Sequence, residues 1–347
     1  MDWITEFLIE LWDFILQSLN DNIPLIVGSV KAVVIAVGIM SVVPALVWLE
    51  RRLMGRFQVR LGPNRVGPFG FGQPMADTLK LLFKESIIQA SADKFLFHLA
   101  PAVVVFTAIV AFAVIPFGAP FEIFGMNIEL WGANVNSGIL FVFAISGMGI
   151  YGMVIAGLSS NNKYSLMGGL RSSAQMISYE LTLGLSALSI IMLTGSLSLV
   201  DMVLAQESVP FILIQPLAFL LFFIAGVAET NRAPFDLPEA EQELVAGFHT
   251  EYTGMKFAMF FMGEYINMVT MSALVTLLFL GGWNTYGIPL WPIIAFAGKV
   301  VFLLCVFIWL RSTFPRIRYD RLMTFGWKVL LPLCLLNLLI TGTIKVM

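Results

Sequence analysis

The sequence predicts an all-α polytopic membrane protein with eight transmembrane helices, an interfacial amphipathic helix and long cytoplasmic loops. Hydrophobic residues make up 59% of the 347 residues, which is more apolar surface than a soluble domain of this length buries in one core. Eight apolar runs each approach about 20 residues, the length of helix that crosses a bilayer core of about 30 Å. The 20 Lys and Arg residues collect in every second loop.

The eight apolar runs are bounded by charged or turn-forming residues, as membrane helices are. They cover residues 24–49, 95–116, 138–158, 173–194, 209–229, 256–280, 291–311 and 327–346. We expect them to form one transmembrane domain over residues 23–347. Residues 1–22 precede it as an amphipathic lead-in, because four acidic residues recur there at helical spacing and the basic segment of a secretory signal is missing.

The basic residues predict the orientation of the chain, because Lys and Arg accumulate in cytoplasmic loops. Of the 20 Lys and Arg residues, 17 lie in loops 50–94, 159–172, 230–256 and 311–328. The intervening loops near 117–137, 195–208 and 281–290 contain none. The basic loops are therefore predicted to be cytoplasmic, and both termini to face the opposite side.

Several classes of function are disfavoured by composition. The formal net charge of -2 lacks the basic face that binds nucleic acid. Cys305 and Cys334 both fall in apolar runs, and His98 and His249 lie far apart, so no disulfide framework, metal-ligand spacing or haem site is indicated. No serine stands in a nucleophile-elbow context, so no hydrolase is predicted.

Loop 50–94 contains an irregular segment and then an amphipathic helix. The segment GPNRVGPFGFGQP lacks the preceding strand of a phosphate-binding loop. After it, a predicted helix beginning near Pro74 carries Met75, Leu79, Leu82 and Phe83 on one face. Such a helix lies in the membrane interface. It either anchors the loop or borders an opening for a lipid-soluble molecule.

Two carboxylates lie inside the apolar runs. Glu180 and Glu264 each fall about two helical turns from the cytoplasmic start of their run, roughly 12 Å along the axis. A carboxylate in hydrocarbon usually faces a cavity or a partner. Either these are structural acids hydrogen-bonded to neighbours such as Tyr179 or Tyr265, or they belong with Glu229 to one protonatable chain. Their occurrence together favours the proton path.

Two lysines also lie inside apolar runs. Lys31 is about two turns from the non-cytoplasmic edge, so its side chain can extend to that interface. Lys299 is similarly placed in the seventh run, and both a structural and a functional role stay open for it.

The segment AETNRAPFDLPEAEQELVAGFHTEY, residues 228–252, gathers six carboxylates beside one arginine, Arg232. Acidic residues contribute little to membrane orientation, so topology does not explain them. Arg232 is predicted as their countercharge.

Five segments resemble a known family. They are ERRLMGRFQVRLGPNRVGPFGFGQPMADTLKLLFKE, SSNNKYSLMGGLRSSAQMISYE, AETNRAPFDLPEAEQELVAGFHTEY, FAMFFMGEY and RSTFPRIRYDRLMTFGWK. In this order they closely resemble the H subunits of bacterial NADH:quinone oxidoreductase, a family related to mitochondrial NADH dehydrogenase subunit 1 of respiratory complex I. The resemblance covers nearly the whole chain from about residue 25.

This resemblance implies a protein of the bacterial inner membrane that joins the hydrophilic and membrane arms of a respiratory complex. Such a protein contributes most of the chamber that admits ubiquinone or menaquinone and couples quinone reduction to proton translocation. It is not catalytic alone and holds no cofactor, because flavin and iron-sulfur clusters belong to partner subunits. Its implied partners are the hydrophilic quinone-site subunits, adjacent small membrane subunits, the quinone and membrane lipid.

The resemblance also implies roles for individual residues. The proton-coupling acids fall on Glu180, Glu229, Glu264, Asp236, Glu239, Glu241 and Glu243. The quinone-binding positions fall on Arg51, Arg60, Asp77, Phe261, Met262 and Arg311, with Arg232 beside them. Lys299 has a lysine counterpart in relatives. The acidic loop either responds to quinone reduction or simply docks on a basic partner surface.

Two other classes stay open from the residues alone. An ion-coupled secondary transporter also has intramembrane acids and interrupted helices, although its usual two related halves are not detected here. A purely structural membrane scaffold would require Glu180 and Glu264 to be dispensable.

Overall fold

The computed structural model describes residues 2–123, 126–128, 130–133, 135–236, 245–288 and 290–346, with side chains from residue 28 onward except in 121–129. The chain forms helices joined by short 3₁₀ turns and one small hairpin. The α-helices are α1 Asp2–Phe57, α2 Gln73–Phe83, α3 Lys94–Phe112, α4 Gly138–Ser159, α5 Lys163–Thr194, α6 Leu199–Leu204, α7 Phe211–Ile214, α8 Pro216–Glu229, α9 Gly254–Phe279, α10 Pro292–Thr313, α11 Tyr319–Phe325 and α12 Leu331–Val346. Strands β1 Phe121–Ile123 and β2 Met126–Ile128 pair antiparallel.

Seven helical stretches of the described chain are long and apolar enough to cross a membrane. They are Gly28–Phe57, Lys94–Phe112, Gly138–Ser159, Lys163–Thr194, Gly254–Phe279, Pro292–Thr313 and Tyr319–Val346. The remaining predicted run, 209–229, forms α7 and the 14-residue α8, which are separated at Gln215. Pro216 begins α8 because its missing N–H is tolerated in a first helical turn. The all-α polytopic fold class is confirmed.

Two helix starts differ from the apolar runs. Helix α5 begins at Lys163, ten residues before the predicted start at 173, because Asn162 caps it by accepting a hydrogen bond from the Tyr164 backbone at 3.0 Å. Hydropathy marks where the membrane begins, whereas the cap marks where the helix begins. Helix α1 runs without a break from Asp2 to Phe57. The division at residue 22 stays a prediction.

The interior is built around α5, α8 and α9. Helix α5 packs against α4, α8 and α12, and helix α9 packs against α3, α10 and α1. Tyr179 of α5, Phe222 of α8 and Phe279 of α9 are completely buried within the larger apolar core. Helix α9 is the most enclosed of the long helices. Polar side chains on these three helices are therefore shielded from lipid.

The predicted interfacial helix corresponds to α2. Met75, Leu79, Leu82 and Phe83 are all exposed, and Pro74 lies in the first turn. The helix and its exposed apolar face are as predicted. Its C-terminal carbonyls approach Gly254 at the start of α9, so α2 borders that helix.

The last membrane helix contains a wider turn. Residues Gly326–Leu330 form a π-helical segment between α11 and α12. Pro332 follows it, and its ring cannot donate to the carbonyl of Lys328 as an α-helix requires. Beyond the segment, α12 faces the interior. Gln215 donates a hydrogen bond to the Thr341 hydroxyl at 2.9 Å, so α12 covers the break between α7 and α8.

Candidate functional site

Glu50, near the C-terminal end of α1, is the centre of a buried ionic cluster. Its side chain is 2% exposed. One carboxylate oxygen accepts hydrogen bonds from Arg311 and, at 3.3 Å, from Arg232, and the other accepts one from the Tyr265 hydroxyl at 2.5 Å. A buried carboxylate is tolerated only when it is paired in this way. The cluster joins α1, α9, α10 and the loop that follows α8.

Arg232 is enclosed on a second side by an aromatic ring. Its guanidinium carbon lies 4.3 Å from the centre of the Tyr265 ring, within the range of a cation–π contact. Burial lowers the pKa of Arg232, but the nearby Glu50 carboxylate outweighs that effect, so the net pKa is raised and the charge is retained. The sequence predicts Arg232 as countercharge of the acidic loop. Within the described residues its ionic partner is Glu50.

Three predicted proton-coupling acids lie near this cluster. Glu229, the last residue of α8, is 3% exposed, and neither of its oxygens has a hydrogen-bond partner in the described part of the chain. Glu180 lies close enough for the two carboxylates to repel each other. Glu264 lies within electrostatic reach of Arg232. The structure therefore brings Glu180, Glu229 and Glu264 to one region.

A narrow cavity lies between Glu229 and Glu264. A polar, enclosed space of this kind can hold water that bridges two carboxylates. Its polar lining comes from the end of α8 and from α9, and its apolar lining comes from α3, α4, α5 and the neighbouring 3₁₀ turn. The lining residues are Glu229, Thr230, Asn231, Glu264, Asn267, Val104, Met153, Met176, Phe248 and Phe260.

The ionisable groups form a row across the interior. Each member is linked to the next by repulsion, by the shared cavity, by attraction or by a direct ion pair. The order is Glu180, Glu229, Glu264, Arg232, Glu50 and Arg311. Such a row can pass a change of charge from one end to the other without a formal charge leaving the protein interior.

The predicted depth of Glu180 is wrong. Because α5 begins at Lys163, Glu180 follows its start by 17 residues, roughly 26 Å along the axis rather than 12 Å. Glu264 follows Gly254 by ten residues, roughly 15 Å. The two acids are not matched in distance from their helix starts. Glu180 instead contacts α4, where a Cβ on Gly147 would lie 2.8 Å from its carboxylate oxygen.

Gln175 fixes the end of α8 beside these acids. Its amide nitrogen donates to the carbonyl of Ala228 at 2.8 Å and to that of Phe235 at 2.9 Å. The following Asp236 accepts a hydrogen bond from Arg316 at 3.2 Å, so the loop after α8 is attached to the loop before α11. The sequence reasoning missed Gln175. The other predicted loop acids, Glu239, Glu241 and Glu243, lie outside the described residues.

The predicted quinone-binding residues separate into groups. Arg232 and Arg311 meet at Glu50, whereas Arg51 and Asp77 pair with each other at 2.5 Å between α1 and α2. Gln73 also donates to Asp77, at 3.1 Å. Since Glu50 and Arg51 are neighbours in the chain, the two ion pairs lie at the same end of the bundle.

The remaining three predicted quinone-binding residues are not in these ion pairs. Arg60 is exposed and donates to the Gln58 side chain at 2.8 Å. Phe261 and Met262 pack against the larger core from α9. Phe261 faces the imidazole of His249, with ring centres 6.3 Å apart.

His249 lies in an aromatic group beside the cavity. Its ring centre is 5.3 Å from that of Phe257 and 5.0 Å from that of Phe248, which lines the cavity. Burial lowers the pKa of His249 to about 4, so the imidazole is neutral near pH 7. Burial likewise raises the pKa of Tyr252 to about 12, against the opposing effect of its hydrogen bond with Ser159.

Glu50 is the functional candidate that sequence reasoning missed. It stands directly before Arg51 and Arg52, so it reads as part of an interfacial charge group. A signal was available, because Glu50 is an acid in the last turns of an apolar run where orientation requires only basic residues. Over the described residues, no three His, Cys, Asp or Glu side chains group as metal ligands.

Comparison with known proteins gives consistent relatives along the chain. A model of the NADH dehydrogenase family matches residues 30–342. The second of two numbered NADH-quinone oxidoreductase H subunits of Syntrophobacter fumaroxidans is 51% identical over 93% of this chain and 97% of its own length. The first H subunit of Geobacter metallireducens is 53% identical over 88% and 92%, and the second H subunit of Rhizobium meliloti is 50% identical over 90% and 95%.

Proposed function

The chain belongs to the NADH dehydrogenase family, and we propose that it forms the quinone chamber and the proton-coupling row within the membrane part of an NADH-quinone oxidoreductase. Family membership favours the oxidoreductase subunit over the transporter and the scaffold that the residues alone leave open. The observation that carries the proposal is the row from Glu180 to Arg311, whose members lie on separate helices but contact or influence one another.

The chamber lies at the end of the bundle that carries Glu50 and the Arg51–Asp77 pair. Arg311 is 31% exposed, whereas Arg232 is 7% exposed. Arg311 is therefore the arginine that a quinone headgroup reaches, and Arg232 is the one that faces the acids. The exposed apolar face of α2 and the start of α9 suit an opening toward lipid, through which an apolar quinone enters.

Reduction of a quinone to a quinol takes up two electrons and two protons. The electrons come from partner subunits that hold flavin and iron-sulfur clusters, and this chain responds to the charge that they bring. Negative charge near Arg311 weakens its hold on Glu50, and Glu50 then binds Arg232 more strongly. Arg232 in turn interacts less with Glu264. The acids beside the cavity consequently bind protons, which water in the cavity can relay.

The acidic loop extends this row toward the partner subunits. Its described member, Asp236, is 9% exposed at its side chain and is paired with Arg316 of the basic loop. The chain is placed in the bacterial inner membrane with both termini in the periplasm, as the basic loops require. The hydrophilic quinone-site subunits then contact the cytoplasmic loops.

The test of proton coupling is the Glu180→Gln, Glu264→Gln double variant in the purified complex. We expect NADH-driven quinone reduction to continue while proton pumping in proteoliposomes falls severalfold. The matched control is Glu207→Gln, which changes an exposed acid outside the row. Normal pumping by an assembled double variant would rule the coupling role out.

A second experiment addresses the loop. Neutralising Glu239, Glu241 and Glu243 together is expected to reduce pumping in an assembled complex. Full quinone reduction and full pumping would indicate instead that the acids only dock against a basic partner surface. The prior requirement is that the tagged chain copurifies with NADH-dependent quinone reduction that a quinone-site inhibitor blocks.

A further inference from the structure

Lys299 of α10 occupies a cage of backbone carbonyls at the far end of α9. Its ammonium donates to the carbonyl oxygens of Leu280 at 2.8 Å, Gly282 at 2.9 Å and Asn284 at 2.8 Å. A lysine ammonium has three N–H donors and no acceptor. Three acceptors at hydrogen-bond distance therefore match its donors one for one.

The loop is shaped so that its carbonyls converge. Gly281 and Gly282 adopt positive φ angles of 70° and 52°, which favour glycine. A Cβ on Gly281 would lie 1.9 Å from the Tyr286 hydroxyl oxygen, so no larger residue fits there. The Tyr286 ring closes another side of the cage, with the ammonium 5.3 Å from the ring centre.

Neighbouring polar groups hold this loop in place. Both functions of the buried Gln206 amide are used, because its nitrogen donates to Met202 and Leu277 carbonyls and its oxygen accepts from Phe211 and Gly281 backbone N–H groups. Asn284 donates to the Val203 carbonyl at 3.0 Å, and Tyr286 donates to the Gln206 carbonyl at 3.0 Å. The loop is thus attached to α6 and to α9. The cage is a rigid feature of the fold.

The charge of Lys299 is balanced by dipoles. Among the residues with described side chains, no carboxylate forms an ion pair with it. Leu280 follows Glu264 by 16 residues, roughly 24 Å along α9. A fixed positive charge held in a pathway repels protons and other cations. Lys299 is therefore placed to oppose proton movement at the end of the bundle remote from the acids.

We propose that the carbonyls of Leu280, Gly282 and Asn284 form a site for an alkylammonium group, which Lys299 fills as a tethered ligand, and that its charge closes this end of the bundle to protons. The proposal does not depend on the quinone chamber. Its readout is passive proton leak without NADH, so its failure is distinguishable from failure of the coupling row.

The test uses the whole complex carrying Lys299→Ala, reconstituted in proteoliposomes under an imposed pH gradient. Without the ammonium, the carbonyl cage can admit water or hydronium, so we expect the leak to rise severalfold and the melting temperature of the complex to fall. Added ethylammonium, which carries three N–H donors, is expected to restore both. Tetramethylammonium has the same charge but no N–H donor, and we expect no restoration by it.

Two matched variants complete the experiment. Lys299→Met fills the same space without charge, so it should leak like Lys299→Ala and not respond to ethylammonium. Lys31→Met removes the other lysine of an apolar run and should change neither leak nor response. If Lys299→Ala does not assemble, the amount of complex formed by cells grown with ethylammonium becomes the readout. An unchanged leak in Lys299→Ala, equal rescue by tetramethylammonium, or no gain in assembly overturns the proposal.

Discussion

Glu50 and Arg232 lie 182 positions apart in the chain and are 3.3 Å apart in the protein interior. The same carboxylate also binds Arg311 and Tyr265, so one acid holds groups from α9, α10 and the loop after α8. The Arg51–Asp77 pair lies next to it in sequence but is far more exposed. The two pairs therefore allow buried and exposed ionic contacts to be compared in one region.

Glu50→Gln is expected to impair assembly much more than Asp77→Asn. Removing the Glu50 charge leaves Arg232 buried without its ionic partner, and breaking a buried pair in this way costs about 3–5 kcal/mol. Breaking the exposed Arg51–Asp77 pair costs about 1 kcal/mol or less. The measurement is the amount of assembled complex in membranes and its melting temperature. Equal losses in the two variants would contradict the central place of Glu50.

Tyr265→Phe separates the two contacts of that residue. The hydroxyl that donates to Glu50 is removed, a loss of about 1.5–3 kcal/mol for a hydrogen bond to a charged group. The ring beneath Arg232 is kept. Tyr265→Leu removes both contacts and should lower the melting temperature of the complex further. Equal melting temperatures for the Phe and Leu variants would show that the cation–π contact contributes nothing.

Gly147→Ala tests the position of the Glu180 carboxylate. The added Cβ would lie 2.8 Å from the carboxylate oxygen, which must then move away from its place near Glu229. We expect fewer protons pumped per quinone reduced, with assembly retained. Gly184→Ala in α5 is the control, because its Cβ would meet no atom within 4 Å. A pumping ratio unchanged in both variants would count against Glu180.

His249 predicts a loss of stability in acid. Its folded pKa of about 4 lies below the ordinary 6.5, so the unfolded chain takes up a proton first as the pH falls. The stability that the neutral imidazole contributes is present above about pH 6.5 and is lost progressively as the pH falls toward 4, in total about 3 kcal/mol. Melting temperatures at about pH 7.5 and about pH 5 should therefore differ less in His249→Asn than in the native complex. An identical difference would assign the acid sensitivity to other groups.

The membrane helices could be predicted from the sequence because each one is a long apolar segment between charged loops. The exposed face of α2 was predictable for a related reason, since helical periodicity alone places Met75 and Leu79 together. The start of α5 was not, because Asn162 and the polar turn after it carry no membrane signal. Hydropathy therefore located the spans better than it located the helix ends.

The candidate site was only partly predictable. Glu180, Glu229 and Glu264 are conspicuous because acids in apolar segments are rare, and the structure brings them together. The pairing of Arg232 with Glu50 could not be read from the chain, since no local pattern connects residues so far apart. Gln175 was missed for a different reason, because a neutral amide in an apolar helix has no charge to draw attention.

The π-helical turn at Gly326–Leu330 also bears on how this chain tolerates insertions and deletions. The wider turn accommodates one residue more than an α-helical turn, so everything after it is rotated by about 100° relative to an uninterrupted α-helix. Cys334 and Thr341 face the interior only in that register. A one-residue deletion within 326–330 would turn both toward lipid, whereas a conservative substitution there would not, so this segment constrains length more than identity.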